Sequence, residues 1–376
     1  MIFKCIIENG LLIYLDKRID QAYLDMVEKL SLMDDSKLDK DISIVYTPLN
    51  GAGSIPVKSI LLRMGFTNVV LVPEQEKPDP DFTTVGYPNP EDTKAFALAE
   101  KLGRLRQAKL LIATDPDSDR FAMEVMNETC DYVPINGNQT GVLLINYILE
   151  AMIERDILPK NGAIVKSIVT GDLGKVIAEN HGIKVYESLT GFKNICGKIP
   201  AMNKDGFQYL FGYEESIGYA PSEQVRDKDG VSTAMLVCEA AAYYQKKGKS
   251  LLDVLQNIYQ KYGYYIESQV SLVYEGMEGA KRIERMMAEI RRIPFEEIGE
   301  IPVKEVTDFK EGYKDIGVSN VLKYMLEDGS WFAVRPSGTE PKIKVYIYST
   351  DKTKDKAVDK IQKIKEIVIN RLENIN

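Results

Sequence analysis

Between Ile42 and Asp115 the chain alternates short apolar β-rich runs with longer helical patterns, and few folds accept that alternation. ISIVYTPL, NVVLVP and KLLIATD read as strands with almost no polar interruption. GAGSIPVKSILLRMGF, a loop and helix, and EDTKAFALAEKLGRLRQA, a helix, lie between them. Strands apolar on both faces and joined by helices predict a parallel sheet covered on both sides. The helical spacing of residues 20–34 adds a helix ahead of the first strand.

From about Tyr132 a second α/β order follows. NQTGVLLINYILEAMIERDIL, LGKVIAENHG and VSTAMLVCEAAAYYQKKG read as helices, and AIVKSIV, KVYES and YLFGYE as strands. No sequence repeat relates the two stretches beyond this order. After Tyr262 the pattern changes. YYIESQVSLVYE alternates like a half-exposed strand, and VLKYMLEDGSWFAVRP reads as a hairpin turning at Asp328-Gly329. KIKVYIYS adds a strand, KRIERMMAEIRRI is an amphipathic helix, and residues 351–374 form a charged one. The expected fold class is α/β: two successive α/β domains with mixed sheets, then a smaller α+β C-terminal domain. Their segments are 41–131, 132–262 and 263–376, and residues 1–40 are too few to fold alone.

Composition narrows the chemistry. Among 376 residues, 56 acidic side chains face 48 basic ones, a net charge of −8 with no long basic run, which argues against nucleic acid as partner. The single histidine, His181, excludes His-rich zinc sites and two-imidazole mechanisms. Next to Gly182 at a helix end, it reads as end packing. Cys5, Cys130, Cys196 and Cys238 are too scattered for a disulfide scaffold or zinc ribbon. There is no apolar run of the roughly 18 residues that a spanning helix needs. The N-terminus has no small-residue cleavage pattern, so no membrane partner and a cytoplasmic protein are expected.

Four loops carry candidate chemistry. Asp115-Pro-Asp117-Ser-Asp119-Arg120 places three carboxylates at alternate positions beyond a strand's C-terminal end, where open α/β sheets bind ligands. All-oxygen donors suit Mg²⁺; an Asx-rich turn is the other reading. An EF-hand fails, because Arg120 stands where its glycine belongs and Met126 where its glutamate does. Arg335-Pro-Ser337-Gly338-Thr339, followed by Lys342 and Lys344, offers donors for phosphate or an ordinary Gly-containing connection. Gly212-Tyr-Glu214-Glu215-Ser216 could accept bonds from sugar hydroxyls or be a solvated turn. Arg226-Asp-Lys228-Asp229-Gly230 reads as a helix start capped by Asp229, or as a loop whose lysine handles protons. Two nucleotide motifs fail: Pro56 replaces the third glycine of a dinucleotide fingerprint, and Val57 the glycine before Lys58 in a Walker loop.

Together these loops resemble the α-D-phosphohexomutase superfamily of phosphoglucomutases and phosphomannomutases. DPDSDR looks like its metal loop, GYEESIGY like its sugar-specificity loop, and RPSGTEPKIKVY like its distal phosphate loop. YTPLNGAG, NGNQTG, LTGFKNI and VRDKDG match in the family's order, so the resemblance spans residues 41 to 350. It implies interconversion of hexose 1-phosphate and 6-phosphate through a 1,6-bisphosphate and a phosphoserine. Asp115, Asp117 and Asp119 would hold Mg²⁺. Lys228, Arg120 and Lys193 would be catalytic, and Thr190, Gly191, Glu214, Ser216, Arg335, Ser337, Gly338 and Thr339 would bind the substrate.

The family's first domain carries the active serine in a Thr-Ala-Ser-His-Asn-Pro loop, and no such string occurs here. Residues 11–34 look like the end of that domain, and Asn50 replaces the histidine of the family's TPLHG stretch. The expectation is a chain without its phosphoserine domain, binding metal weakly, turning over negligibly alone, and open to self-association through the uncovered face. A non-catalytic sugar-phosphate-binding or regulatory protein is the alternative. An unrelated Mg²⁺-dependent phosphatase with Asp115 as nucleophile comes last, since it leaves the RPSGTEP and EES loops unexplained.

Overall fold

A computed structural model describes residues 6–338 and 340–375. The chain forms two compact units. One takes the residues up to Ile135 together with Lys228–Ser250; the other takes Asn136–Asp227 and everything from Leu251 onward.

The first unit holds a five-stranded sheet of β1 (Ile44–Thr47), β2 (Val69–Leu71), β3 (Leu110–Thr114), β4 (Phe121–Met126) and β5 (Tyr132–Ile135). The spatial order is β2-β1-β3-β4-β5. β1 runs parallel to β2 and β3, while β4 and β5 are added antiparallel. Every residue of β1 and β3 is buried, as their apolar sequences require. Tyr132–Ile135, read from sequence as opening the second α/β stretch, pairs with β4 and closes the first sheet instead.

The helix Gly230–Lys246 belongs here too, although its sequence follows the second stretch. Its residues from Gly230 to Tyr244 are all buried. A helix apolar on every side has to be enclosed. It packs on the helices Lys17–Glu28 and Ser54–Arg63 and on β3 and β4.

The second unit repeats the topology. β6 (Gly162–Ser167), β7 (Lys184–Ser188), β8 (Gln208–Glu214) and β9 (Gly218–Ala220) lie in the order β7-β6-β8-β9. β6 is parallel to both neighbours and β9 antiparallel to β8. This matches the β2-β1-β3-β4 part of the first sheet, a likeness carried by fold and not by sequence. The helix Leu173–Asn180 ends at His181, whose Nδ1 lies 2.9 Å from the Ile177 carbonyl, with Gly182 left-handed at φ 73°.

The same unit carries a six-stranded antiparallel sheet of β10 (Tyr264–Val273), β11 (Glu297–Ile298), β12 (Ile301–Asp308), β13 (Leu322–Leu326), β14 (Trp331–Pro336) and β15 (Lys342–Asp351). One face is covered by the helices Gly276–Arg292 and Lys354–Glu373, whose Ile283, Met286, Ile290, Ile361, Ile364 and Val368 share one buried cluster with Tyr324, Phe332 and Val345 of the sheet. The mixed α/β sheets and the antiparallel C-terminal sheet are the expected fold class.

A buried charge network fastens this sheet to β6. Lys166, fully buried, pairs with Asp172 at 3.0 Å and Glu187 at 3.3 Å. Trp331 Nε1 donates to Asp172 (2.7 Å), and Lys323 Nζ donates to the Ile168 carbonyl (2.8 Å). Burial alone would raise the Asp172 carboxyl, but the Lys166 and Lys323 ammonium groups hold it well below the ordinary range. These bonds fix where the β14–β15 loop stands relative to the ends of β6 and β8.

Candidate functional site

The three aspartates sit on the connection between antiparallel β3 and β4, where Thr114 pairs with Phe121. Six residues must reverse the chain, and Ser118 does so in the left-handed region (φ 60°) with its N–H on the Asp115 carbonyl (2.9 Å). The turn brings carboxylate oxygens of Asp115, Asp117 and Asp119 within 4.8 Å of one another. Asp115 is buried and accepts from the Arg120 N–H at 2.9 Å. Burial, with the charges of Asp119 and Asp117 beside it, pushes the Asp115 carboxyl up to about 7. Lys228 Nζ lies 2.7 Å from Asp119 Oδ2. Arg120 Nε lies 3.7 Å from Asp115 and 3.9 Å from Asp119, too far for hydrogen bonds.

Three converging carboxylates, one of them pushed towards protonation, and a buried Ser118 hydroxyl without a hydrogen-bond partner form an all-oxygen donor set that Lys228 neutralises only in part. It fits a hard divalent cation.

Glycines that sequence reasoning did not assign to this site hold the loop. A Cβ on Gly51 would stand 2.4 Å from Pro116 Cα, and the neighbouring Ala52 N–H donates to the Pro116 carbonyl (2.7 Å). A Cβ on Gly53 would meet the hydroxyls of Tyr46, Thr114 and Ser118. The GAGS run that mimics a nucleotide motif is therefore the backing of the aspartate loop. Asn50, at φ 61°, donates to the Lys77 carbonyl (2.7 Å) and accepts from Thr84 (2.9 Å), tying down the following loop.

Gly230 closes on the aspartates from the other side. Its N–H donates to the Ser118 carbonyl (3.0 Å), and a Cβ there would lie 2.7 and 2.8 Å from the carbonyl oxygens of Ser118 and Arg120. Asp229 caps the helix by accepting from the Val231 and Ser232 N–H groups, and also accepts from the Tyr23 hydroxyl at 2.7 Å. The structure shows the cap, and it pairs the lysine of this loop with Asp119. The only available signal for Gly230 was its place at the end of VRDKDG.

The second unit carries the other candidates. β8 delivers Glu214, buried, and its Oε1 accepts from the Gly191 N–H at 2.5 Å. Gly191 has φ 102°, a conformation that favours glycine. Thr190 precedes it, its carbonyl accepting from Asn194 (2.7 Å). Lys193 is exposed on the short helix Phe192–Ile195, and Ser216 is half-buried in the β8–β9 turn.

On the C-terminal sheet, β14 and β15 place Arg335 directly opposite Lys344. Like charges facing each other across a ladder repel, and an anion between them relieves the repulsion. Their loop is closed by the Ser337 N–H on the Lys342 carbonyl (2.8 Å) and the Glu340 N–H on the Ser337 hydroxyl (3.3 Å). Gly338 is exposed, and Thr339 lies outside the described residues.

Residues 21–128 match the family model "Phosphoglucomutase/phosphomannomutase, alpha/beta/alpha domain II", residues 136–262 that of domain III, and residues 294–365 that of the C-terminal domain. Phosphoglucomutases of Staphylococcus haemolyticus and Staphylococcus epidermidis are 36% and 37% identical to it over 318 residues, 82% of this chain and 57% of theirs. The chain thus spans little more than half the length of these relatives. The fold resembles the open form of pp63/parafusin, a Paramecium phosphoglucomutase, with TM-score 0.69, 18% identity, and coverage of 94% of this chain and 62% of that one. It also resembles a phosphoglucomutase/phosphomannomutase family protein from Burkholderia thailandensis, with TM-score 0.66, 14% identity, and coverage of 95% and 66%. This chain belongs to the α-D-phosphohexomutase superfamily of phosphoglucomutases and phosphomannomutases.

Proposed function

We propose that this chain binds hexose phosphates and hexose 1,6-bisphosphate together with Mg²⁺, as a phosphoglucomutase-type phosphohexomutase does, and that alone it turns them over negligibly. The observation that carries the reading is the aspartate cluster, with oxygens within 4.8 Å and Lys228 beside it.

Asp115, Asp117 and Asp119 would hold the cation, which when bound supplies positive charge against that developing on a transferring phosphoryl group. Arg120 adds a fixed charge beside the loop, and Lys228 stabilises charge or carries the proton of the reacting hydroxyl. Lys193 is the second candidate for that role. Glu214 and Ser216 take the sugar's 3- and 4-hydroxyls beside Thr190 and Gly191. Arg335, Ser337, Gly338 and Thr339 hold the non-reacting phosphate. An N-acetylphosphoglucosamine mutase of Aspergillus fumigatus has been solved with glucose 1,6-bisphosphate, which supports that choice of probe.

The absence of a Thr-Ala-Ser-His-Asn-Pro string favours low turnover and keeps the binding or regulatory reading as the second one. Leu11, Ile13, Tyr14 and Leu15 stand exposed, which supports self-association through that apolar run. The deciding experiment pairs calorimetry with glucose 1,6-bisphosphate in Mg²⁺ with a coupled glucose 1-phosphate assay. Binding without turnover is expected. Family-level turnover would overturn the inactivity, and no binding would overturn the whole reading.

A further inference from the structure

Glu214 and Glu215 are adjacent carboxylates with different surroundings. β8 and β9 pair as far as Glu214 with Gly218, so only Glu215, Ser216 and Ile217 make the reversal. Ile217 completes it in the left-handed region at φ 54° with its side chain buried. A β-branched residue is unfavourable there and persists only where its surroundings hold it.

Glu215 supplies that hold from two directions. Its backbone is pressed on Gly137, where a Cβ would stand 1.9 Å from the Glu215 carbonyl oxygen and 2.8 Å from the Ile217 nitrogen. Its carboxylate reaches past the end of β6 and accepts from the Thr170 hydroxyl at 3.0 Å and the Ser167 hydroxyl at 3.4 Å. Burial leaves its pKa raised, against the pull of its own N–H, the two hydroxyl bonds and the nearby Lys344 charge. Glu214 is thereby held by the Gly191 N–H, and Glu215, which stands between Glu214 and Ser216, by the hydroxyls of Ser167 and Thr170.

We propose that Glu215 is a positioning residue that fixes the spacing of Glu214 and Ser216, and so sets discrimination among hexose epimers without itself touching the sugar. The inference rests on the sugar-phosphate reading of this loop. Removing the Glu215 anchor frees the strained reversal, so hydroxyl recognition loosens while the phosphate contacts on β14 and β15 remain.

The test is calorimetry in Mg²⁺ with three probes: glucose 1-phosphate, its 4-epimer galactose 1-phosphate, and inorganic phosphate. The parent chain should prefer glucose 1-phosphate. Glu215→Ala should cut that preference about tenfold, the equivalent of 1.4 kcal/mol, and leave inorganic phosphate affinity within about twofold. Glu215→Gln, which can still accept from Thr170, should keep most of the preference. Thr170→Val, which removes only the nearer hydroxyl, should reproduce part of the loss and covers the case in which Glu215→Ala does not fold. An unchanged epimer ratio in folded Glu215→Ala, or in Thr170→Val should the alanine variant not fold, overturns the inference while the function stands. Equal weakening of all three probes overturns it too, since that marks a charge effect through Lys344. No sugar-phosphate binding by the parent chain removes the function and the inference together.

Discussion

Lys228 Nζ sits 2.7 Å from Asp119 Oδ2, so one of the three clustered carboxylates already has a cation of the protein's own. A divalent ion at this loop must share Asp119 with the lysine. Lys228→Gln should therefore tighten divalent-cation binding, by a factor of about three to ten, the reach of one partly exposed charge pair. Asp119→Asn should weaken it by at least about tenfold. Titration with Mn²⁺ followed by electron paramagnetic resonance reads both, and weaker binding in Lys228→Gln would contradict the sharing.

Gly230 has backbone on both sides of its missing side chain. A Cβ would lie within 2.8 Å of two carbonyl oxygens of the aspartate loop. Gly230→Ala should cost about 1–3 kcal/mol in stability through overpacking. It should also lower cation affinity by displacing the loop. Urea denaturation and the same Mn²⁺ titration give the two numbers, and an unchanged denaturation midpoint would count against the close approach.

Arg335 and Lys344, opposed across β14 and β15, make opposite predictions for stability and binding. Lys344→Met should relieve repulsion and leave the apo protein equally or more stable, by up to about 1 kcal/mol. Its affinity for glucose 1,6-bisphosphate should nevertheless fall at least about fivefold, the loss of one charge-assisted contact. Melting temperatures with and without the bisphosphate test this. A variant stabilised by ligand as much as the parent would argue that this face is no phosphate site.

Glu124, 2% exposed on β4, has an Oε2 without a hydrogen-bond partner. Burial, then the charge of Glu100, pushes its carboxyl up to about 7 from an ordinary 4.5, against the pull of Arg104. A raised folded-state pKa contributes stability that is complete below pH 4.5 and is lost as pH rises through about 7. Glu124→Gln, which cannot ionise, should gain on the parent across that window. The gain should be on the order of 1 kcal/mol at pH 8 after solvent screening. Denaturation at pH 5 and pH 8 should show most of the difference at pH 8.

The loop chemistry was largely legible in the sequence. DPDSDR, GYEES and RPSGTEP sit at strand ends, and the spacing of three aspartates sufficed to name a candidate cation site. The strands β4, β5, β9, β11 and β12 were not picked out, and β5, β9 and β11, at four residues or fewer, are too brief for a period to emerge. Gly51 and Gly53 were weighed as nucleotide motifs and set aside. What they do instead, backing Pro116 and Ser118, depends on residues more than 60 positions away.

By itself the sequence determined the alternation of elements, the carboxylates and cations each loop could present, and the family those loops share. Periodicity, turn residues and ligand spacing are local properties, readable within a dozen positions. Only the tertiary structure decided that the helix Gly230–Lys246 lies with the first sheet, so that Gly230 and Lys228 meet Ser118 and Asp119. A helix apolar on every side states that it must be buried, but not where, and its enclosure is settled by the surfaces that other segments leave open to it.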